Sequence, residues 1–93
     1  MFLEIVTPEA VLFSSEVTSV AVPGINGEFQ MLSNHAPVVS LLGAGIIKIE
    51  ASNASIDEKF EYRFTKINDG RLSFKINSGT LEMKDNKAII LAD

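Results

Sequence analysis

The sequence predicts an all-β domain: a sandwich or flattened barrel of about ten antiparallel strands. Three observations carry that expectation. Apolar residues recur with a period of two over most of the 93 residues. Turn formers (Pro-Gly, Gly-Ala-Gly, Asn-Asp-Gly, Ser-Gly, Asp-Asn) interrupt those runs at short spacing. No segment holds a helical period of useful length. A chain of this size makes one domain, residues 1–93, around one core.

Phe2 to Val6 reads as the first strand, with Leu3 and Ile5 on one face and Glu4 on the other. Pro8 ends it, because proline cannot donate to a ladder interior. Ala10 to Phe13 is a short edge strand, and Ser14-Ser15 turns the chain. Glu16 to Val22 is strongly β-branched, but Val17 is out of phase with Val20 and Val22. That phase break predicts a β-bulge near Thr18 or Ser19.

Pro23 to Pro37 is the most constrained stretch. It holds two of the three prolines, two of the six glycines and the single histidine, so the turns here are built rather than incidental. Gly24 and Gly27 allow positive φ, and Glu28 to Leu32 form a short strand between two turns. Val38 to Leu42 is almost wholly apolar, which predicts a strand buried on both sides or close to it. Gly43-Ala44-Gly45 turns into Ile46 to Glu50, where Ile47 and Ile49 alternate with Lys48 and Glu50.

Ala51 to Asp57 is a polar loop. Its Asn53-Ala54-Ser55 is a formal glycosylation sequon, read as chance because no secretory signal precedes it. Lys59 to Ile67 alternates Phe60, Tyr62 and Phe64 against Glu61, Arg63 and Thr65, predicting a strand. Asn68-Asp69-Gly70 is a hairpin turn into Arg71 to Ile76, with Leu72, Phe74 and Ile76 on one face. Leu81 to Lys84, the Asp85-Asn86 turn and Lys87 to Leu91 complete the order.

Composition excludes several functions. A net charge of −4 and a pI near 4.9 leave no basic stripe for nucleic acid. Without cysteine there is no disulfide or thiolate metal site. Met1-Phe2-Leu3-Glu4 lacks the basic start of a signal peptide, and no apolar run is long enough to cross a bilayer.

Catalysis finds little support. His35 has no cysteine to activate, and Asn34, its neighbour, would point to the opposite face of an extended strand. One histidine with dispersed carboxylates matches no zinc or iron spacing. The glycines open no helix and so form no phosphate loop. Neither an active site, nor a cofactor or metal, nor a small-molecule ligand is expected. Glu28, between Gly27 and Phe29 on a glycine-braced turn, is presented rigidly outward and suits a partner contact better than acid catalysis.

The order Val6-Thr7-Pro8-Glu9, Phe13-Ser14, Val20, Pro23-Gly24, Gly27-Glu28, Leu32, Asn34-His35-Ala36-Pro37 resembles the ε subunit of bacterial F-type ATP synthase. Gly79-Thr80-Leu81-Glu82, Asp85-Asn86-Lys87 and Ile90-Leu91-Ala92-Asp93 look like the close of that family's N-terminal domain. The sequence departs from the family pattern at Ser33, where proline is usual, and at Gly43-Ala44-Gly45 and Ser78-Gly79, which keep turn-competent residues. Ala51 to Ser73 is longer than the usual hairpin, so a lengthened hairpin or extra edge strands are expected there, with the fold intact.

The resemblance implies a ten-stranded sandwich at the foot of the rotating central stalk. Such a domain would bind the γ subunit on one surface and the c-ring at one end, without catalysis of its own, coupling proton translocation to ATP synthesis. Glu28, with Gly27 and Phe29, would meet the polar loops of the c-ring; Thr7, His35 and Ser40 would lie near γ. The location implied is peripheral, on the cytoplasmic face of the cell membrane, with no direct insertion. Family members commonly continue into a two-helix hairpin that restrains ATP hydrolysis, and helix-based inhibition is not expected of this chain. Two alternatives stand beside this reading. One is a stand-alone β-sandwich adaptor; the other is a small enzyme or sugar-binding module, which would need Glu28 and His35 to converge on one cleft.

Overall fold

The computed structural model describes residues 1–52, 54 and 56–93. Asn53 and Ser55 of the sequon lie outside the described residues. Among the described residues ten strands form: β1 (Phe2–Val6), β2 (Val11–Glu16), β3 (Ser19–Gly24), β4 (Gly27–Leu32), β5 (Val38–Leu42), β6 (Gly45–Glu50), β7 (Phe64–Lys66), β8 (Leu72–Ile76), β9 (Gly79–Lys84) and β10 (Lys87–Ala92). One short 3-10 helix, Glu58–Arg63, precedes β7.

The strands follow the hydrogen-bonded order β2-β1-β10-β9-β5-β3-β6-β8-β7, with β4 paired to β3. The link from β5 to β3 is the single pair Gly24↔Leu42. The sheet therefore folds over at that point into two halves, β2-β1-β10-β9-β5 and β4-β3-β6-β8-β7. Period-two alternation sends one set of side chains from each half into a shared core. The first half contributes Leu3, Ile5, Phe13, Leu81, Met83 and Ile90; the second contributes Val20, Val22, Met31, Ile47, Ile49 and Phe74. At the far edge Phe13 meets Phe64 at 5.9 Å between ring centroids, and Phe64 meets Phe74 at 5.1 Å. An Arg63–Glu9 ion pair lies at the same edge.

Most pairings are antiparallel, but β1 and β10 run parallel, from Phe2↔Lys87 to Val6↔Leu91. A parallel neighbour needs a long crossover, and here the whole intervening chain supplies it. Alternation within a strand says nothing about which strand lies beside it.

Four expectations are corrected. Val38–Leu42 is not buried on both sides: Val39 is 78% and Leu41 60% exposed. Its inward residues Val38, Ser40 and Leu42 face the core, while the outer face of this half of the sandwich is uncovered. Glu16 to Val22 is not one bulged strand. β2 ends at Glu16 and β3 begins at Ser19, and buried Val17 sits in the crossing between the two halves. Its N–H donates to Met1 O at 2.8 Å, and that of Thr18 donates to Glu50 O at 2.7 Å. The register shift lies instead between Ile5 and Val6, where Ile5 faces Phe13 and Val6 faces Val11, leaving Leu12 as the extra residue. Ser14 and Ser15, read as a turn, continue β2.

Lys59 to Ile67 is the fourth correction. Asp57 caps the 3-10 helix by accepting from the Lys59 N–H at 3.0 Å, and only Phe64–Lys66 remains extended. The aromatic alternation breaks accordingly. Phe64 enters the core, Phe60 packs at its margin and Tyr62 stays exposed. The Asn68-Asp69-Gly70 turn forms as expected, with the Gly70 N–H donating to Ile67 O at 2.9 Å and the Ile67 N–H to Arg71 O at 2.9 Å.

Strand directions sort the connections to two ends. Thr7–Ala10, Ile25-Asn26, Gly43-Ala44 and Asn77-Ser78 lie at one end, with Asp93. Val17-Thr18, Ser33–Pro37, Ile67–Arg71 and Asp85-Asn86 lie at the other.

Candidate functional site

The β3–β4 hairpin is closed by Gly24↔Gly27, with Ile25 and Asn26 at its tip. Both glycines are required. Gly27 has φ +123°, outside the range of ordinary L-residues. A Cβ on Gly24 would stand 2.8 Å from both Gly27 O and Phe29 Cε1. The Phe29 ring thus packs directly on the hairpin backbone and stiffens it. Glu28, paired across the strands with Pro23, projects into solvent on the outer face, where Lys48 Nζ lies 3.1 Å from its Oε1.

Ser40 joins this group. Gly24 to Phe29 and Ser40 line one shallow depression of about 330 Å³. The structure therefore brings together Gly27, Glu28, Phe29 and Ser40, but neither Thr7 nor His35. Thr7 is buried in the β1–β2 turn. Its N–H donates to Ala10 O (2.9 Å), its Oγ1 donates to the same oxygen (3.4 Å), and its carbonyl accepts from the Ala10 N–H (3.2 Å).

His35 lies at the opposite end, three residues beyond β4. From Glu28 to Leu32 alone the strand spans ~13 Å at roughly 3.3 Å per residue. The two side chains are held at different ends, which does not provide the shared cleft that catalysis would need. The His35 ring has Nδ1 2.7 Å from Ala36 O. A carbonyl can only accept, so Nδ1–H donates there and Nε2 is left facing outward.

The stalk reading predicts an exposed apolar patch, whose residues the sequence reading did not name. Cross-strand register aligns Val11 with Val6, Val6 with Leu91, Leu91 with Thr80, and Thr80 with Leu41. These residues form one stripe, apolar except at Thr80, across all five strands of the outer face of β2-β1-β10-β9-β5. Ile25 extends the stripe to the hairpin tip, its N–H donating to Leu41 O at 3.3 Å, and the two line a groove with Thr80 and Leu91. In the sequence Val39 and Leu41 stand in an almost wholly apolar run. It could not be told from core without knowing what covered each face. The other outer face carries Glu28, Gln30, Lys48, Glu50 and Lys75, which separate Leu32 from Ile46.

Electrostatics mark two fixed carboxylates. Hydrogen bonds from the Arg71 side chain and backbone hold Asp69 below the usual carboxylate range. Asp93 is likewise lowered, chiefly by the Asn77 N–H at 3.1 Å and also by that of Ser78 at 3.3 Å. Among the described residues, no group of three or more His, Asp or Glu could hold a metal ion. Nor, among the described residues, is any helix long and apolar enough to cross a membrane.

This arrangement matches known proteins. Residues 1–62 fit the family model of the ATP synthase delta/epsilon chain, β-sandwich domain. The chain is 38% identical over 91 residues to the ATP synthase epsilon chain of Chlorobium limicola, covering 98% of this chain and 86% of that one. It is 47% identical over 93 residues to the ATP synthase epsilon chain of Campylobacter curvus, covering 100% of this chain and 60% of that one. The fold is shared with a chain in the central stalk and c-ring structure of Tetrahymena thermophila mitochondrial ATP synthase. There the TM-score is 0.70 at 15% identity, over 99% of this chain and 62% of that one. A chain of the Euglena gracilis mitochondrial enzyme gives a TM-score of 0.72 at 18% identity, over 97% and 48%. With the sandwich fold and similarity along its whole length in agreement, the chain belongs to the ATP synthase epsilon chain family and carries that family's β-sandwich domain.

Proposed function

We propose that this chain is a non-catalytic central-stalk subunit of an F-type ATP synthase, joining the γ subunit to the c-ring. Rotation of the ring, driven by proton flow, would pass through the sandwich and γ to the catalytic head. The observation that carries this reading is the apolar stripe from Val11 to Leu41, set against a polar opposite face. A contiguous exposed apolar stripe on one face of a small domain is the mark of a protein interface. We assign it to γ, with Ser40 behind its β5 end and Thr7 bracing the turn beyond Val6. His35 meets γ from the other end.

The hairpin end is assigned to the c-ring. Glu28 offers a charge to cationic or amide groups of the ring's polar loops, and Gly27 and Phe29 hold it in place. No cofactor or small molecule enters this role. The location that follows is peripheral, at the cytoplasmic face of the inner membrane and reached through the ring. A close-packed core suits the task, since packed interiors transmit strain rather than absorb it.

The test is co-purification. The chain is tagged in its own host, membranes are extracted gently, and the bound proteins are identified for wild type, Leu41→Arg and Leu91→Arg. Recovery of γ, c and the catalytic subunits in fixed proportion with wild type, and their loss with either stripe variant, is the expected result. A wild-type chain bound to none of them, while the synthase is intact, ends the stalk reading in favour of the stand-alone adaptor.

A further inference from the structure

The loop that carries His35 crosses from β4, in one half of the sandwich, to β5 in the other. We propose that Asn86, in the β9–β10 turn, is a positioning residue that straps this loop in its partner-facing shape. Three observations bear on it. Asn34 has φ 64°, so the loop passes through a left-handed residue immediately before His35. That conformation aims the Asn34 N–H at Asn86 Oδ1, 2.7 Å away across 52 residues of sequence. Asn86 is itself left-handed, at φ 60°, and its carbonyl accepts from the Phe2 N–H at 3.0 Å.

One asparagine thus joins the start of β1, the β9–β10 turn and the His35 loop. The loop's own bond from the His35 N–H to Leu32 O (3.2 Å) closes a tight turn, but it reaches no other strand. A second tie reaches the loop one residue earlier, where Ser33 Oγ accepts from the Met1 ammonium at 3.2 Å; among the described residues the Asn86 side chain is the tie at Asn34 itself, next to His35. Asparagine fits both demands, since its short amide tolerates the left-handed region and supplies a carbonyl acceptor. The strap fixes the direction in which Nε2 of His35 is presented. The part of the proposal that concerns a partner rests on the stalk reading above, with γ as the protein that meets His35.

The experiment separates strap from partner. Asn86→Gly keeps the left-handed backbone without strain and deletes the acceptor, whereas Asn86→Asp keeps an acceptor oxygen at the same place. Amide exchange at Asn34 is followed by NMR in the full chain, and affinity is measured for the γ subunit of the same organism. The expected result for Asn86→Gly is Asn34 exchange faster by about fivefold or more, the size of one lost hydrogen bond, with γ binding weakened by a similar factor. Asn86→Asp restores both. Leu41→Arg serves as a control that weakens γ binding and leaves Asn34 exchange unchanged.

Unchanged Asn34 exchange in Asn86→Gly overturns the strap. A freed loop with undiminished γ affinity overturns the positioning role. Failure of the wild-type chain to bind γ refutes the stalk reading and the partner half of this proposal, while Asn34 exchange still decides the strap.

Discussion

Glu28 can matter in two ways that a single substitution would confuse: through its ion pair with Lys48, or through a contact outside the chain. Exchanging the two charges separates them. Lys48 Nζ lies 3.1 Å from Glu28 Oε1, with the side chains 30% and 51% exposed. An exposed pair of this kind is worth about 0.2–1 kcal/mol. Glu28→Lys puts two cations side by side, and Lys48→Glu two anions, at a repulsion of about 1 kcal/mol in a water-like dielectric. For a chain of this size each kcal/mol shifts Tm by roughly 4–8 °C. Either single variant should therefore melt several degrees low, and the double variant Glu28→Lys/Lys48→Glu should melt close to wild type.

Coupling should behave differently. In membrane vesicles carrying the variant, ATP-driven proton pumping tests whether the stalk grips the ring. If Glu28 meets a cationic or amide group of the ring, position 28 has the wrong sign in the double variant. Pumping should then stay impaired although stability has returned. Losing one partner of a buried charged contact costs about 2–5 kcal/mol, far more than the surface pair. A double variant that recovers both Tm and pumping would refute the reasoning, because Glu28 would then act only through Lys48. Full pumping in Glu28→Lys alone would refute it more simply.

Other expectations concern the fold and its ends. Phe74→Ala removes a buried ring that stacks with Phe64, and should cost about 3–5 kcal/mol in urea unfolding. Gly24→Ala forces a Cβ to 2.8 Å from a backbone oxygen and should destabilise the hairpin by about 1–3 kcal/mol, readable as a lower urea midpoint. Asp93 is held below the usual carboxylate range, so its contribution is present above the unfolded-state pKa and lost as pH falls through the lower folded value. The gap in urea midpoint between wild type and Asp93→Ala should therefore be open at neutral pH and close below about pH 4.

What the sequence displayed were properties local to a few residues. The Asp69-Gly70 turn, the glycine-closed hairpin and the period-two core positions Leu3, Ile5, Val20, Val22, Ile47, Ile49, Phe74 and Ile76 all follow from turn chemistry and alternation. What it hid depends on neighbours. Val39 and Leu41 look like core because their residue types are apolar, and only the uncovered outer face makes them surface. Phe60, Tyr62 and Phe64 alternate like a strand, yet the Asp57 cap and the want of a partner strand favour a 3-10 turn. Val17 broke phase because the chain changes sheets there. Of the site residues, Gly27, Glu28 and Phe29 were legible as a rigid presented group. The cross-strand stripe required register, which no single segment contains.

The two assigned surfaces meet at one place in the molecule. The hairpin that presents Glu28 is rooted where the halves of the sheet join, at Gly24↔Leu42. Two backbone bonds flank that pair: the Gly43 N–H donates to Pro23 O at 2.8 Å, and the Ile25 N–H donates to Leu41 O at 3.3 Å. Leu41 is also the β5 end of the apolar stripe. A force applied at Glu28 therefore reaches the stripe through one hairpin and two adjacent backbone hydrogen bonds, without crossing the core. Backbone hydrogen bonds are directional and short, so a junction made of them yields little before the pairing itself breaks. Glycine at position 24 is what lets the hairpin and Phe29 approach this closely, and Gly27 what lets the turn close. On the proposed function, the constrained stretch from Pro23 to Pro37 is then a single mechanical part. Its first turn faces the ring, its root grips the stripe and its far loop, held by Asn86, faces γ.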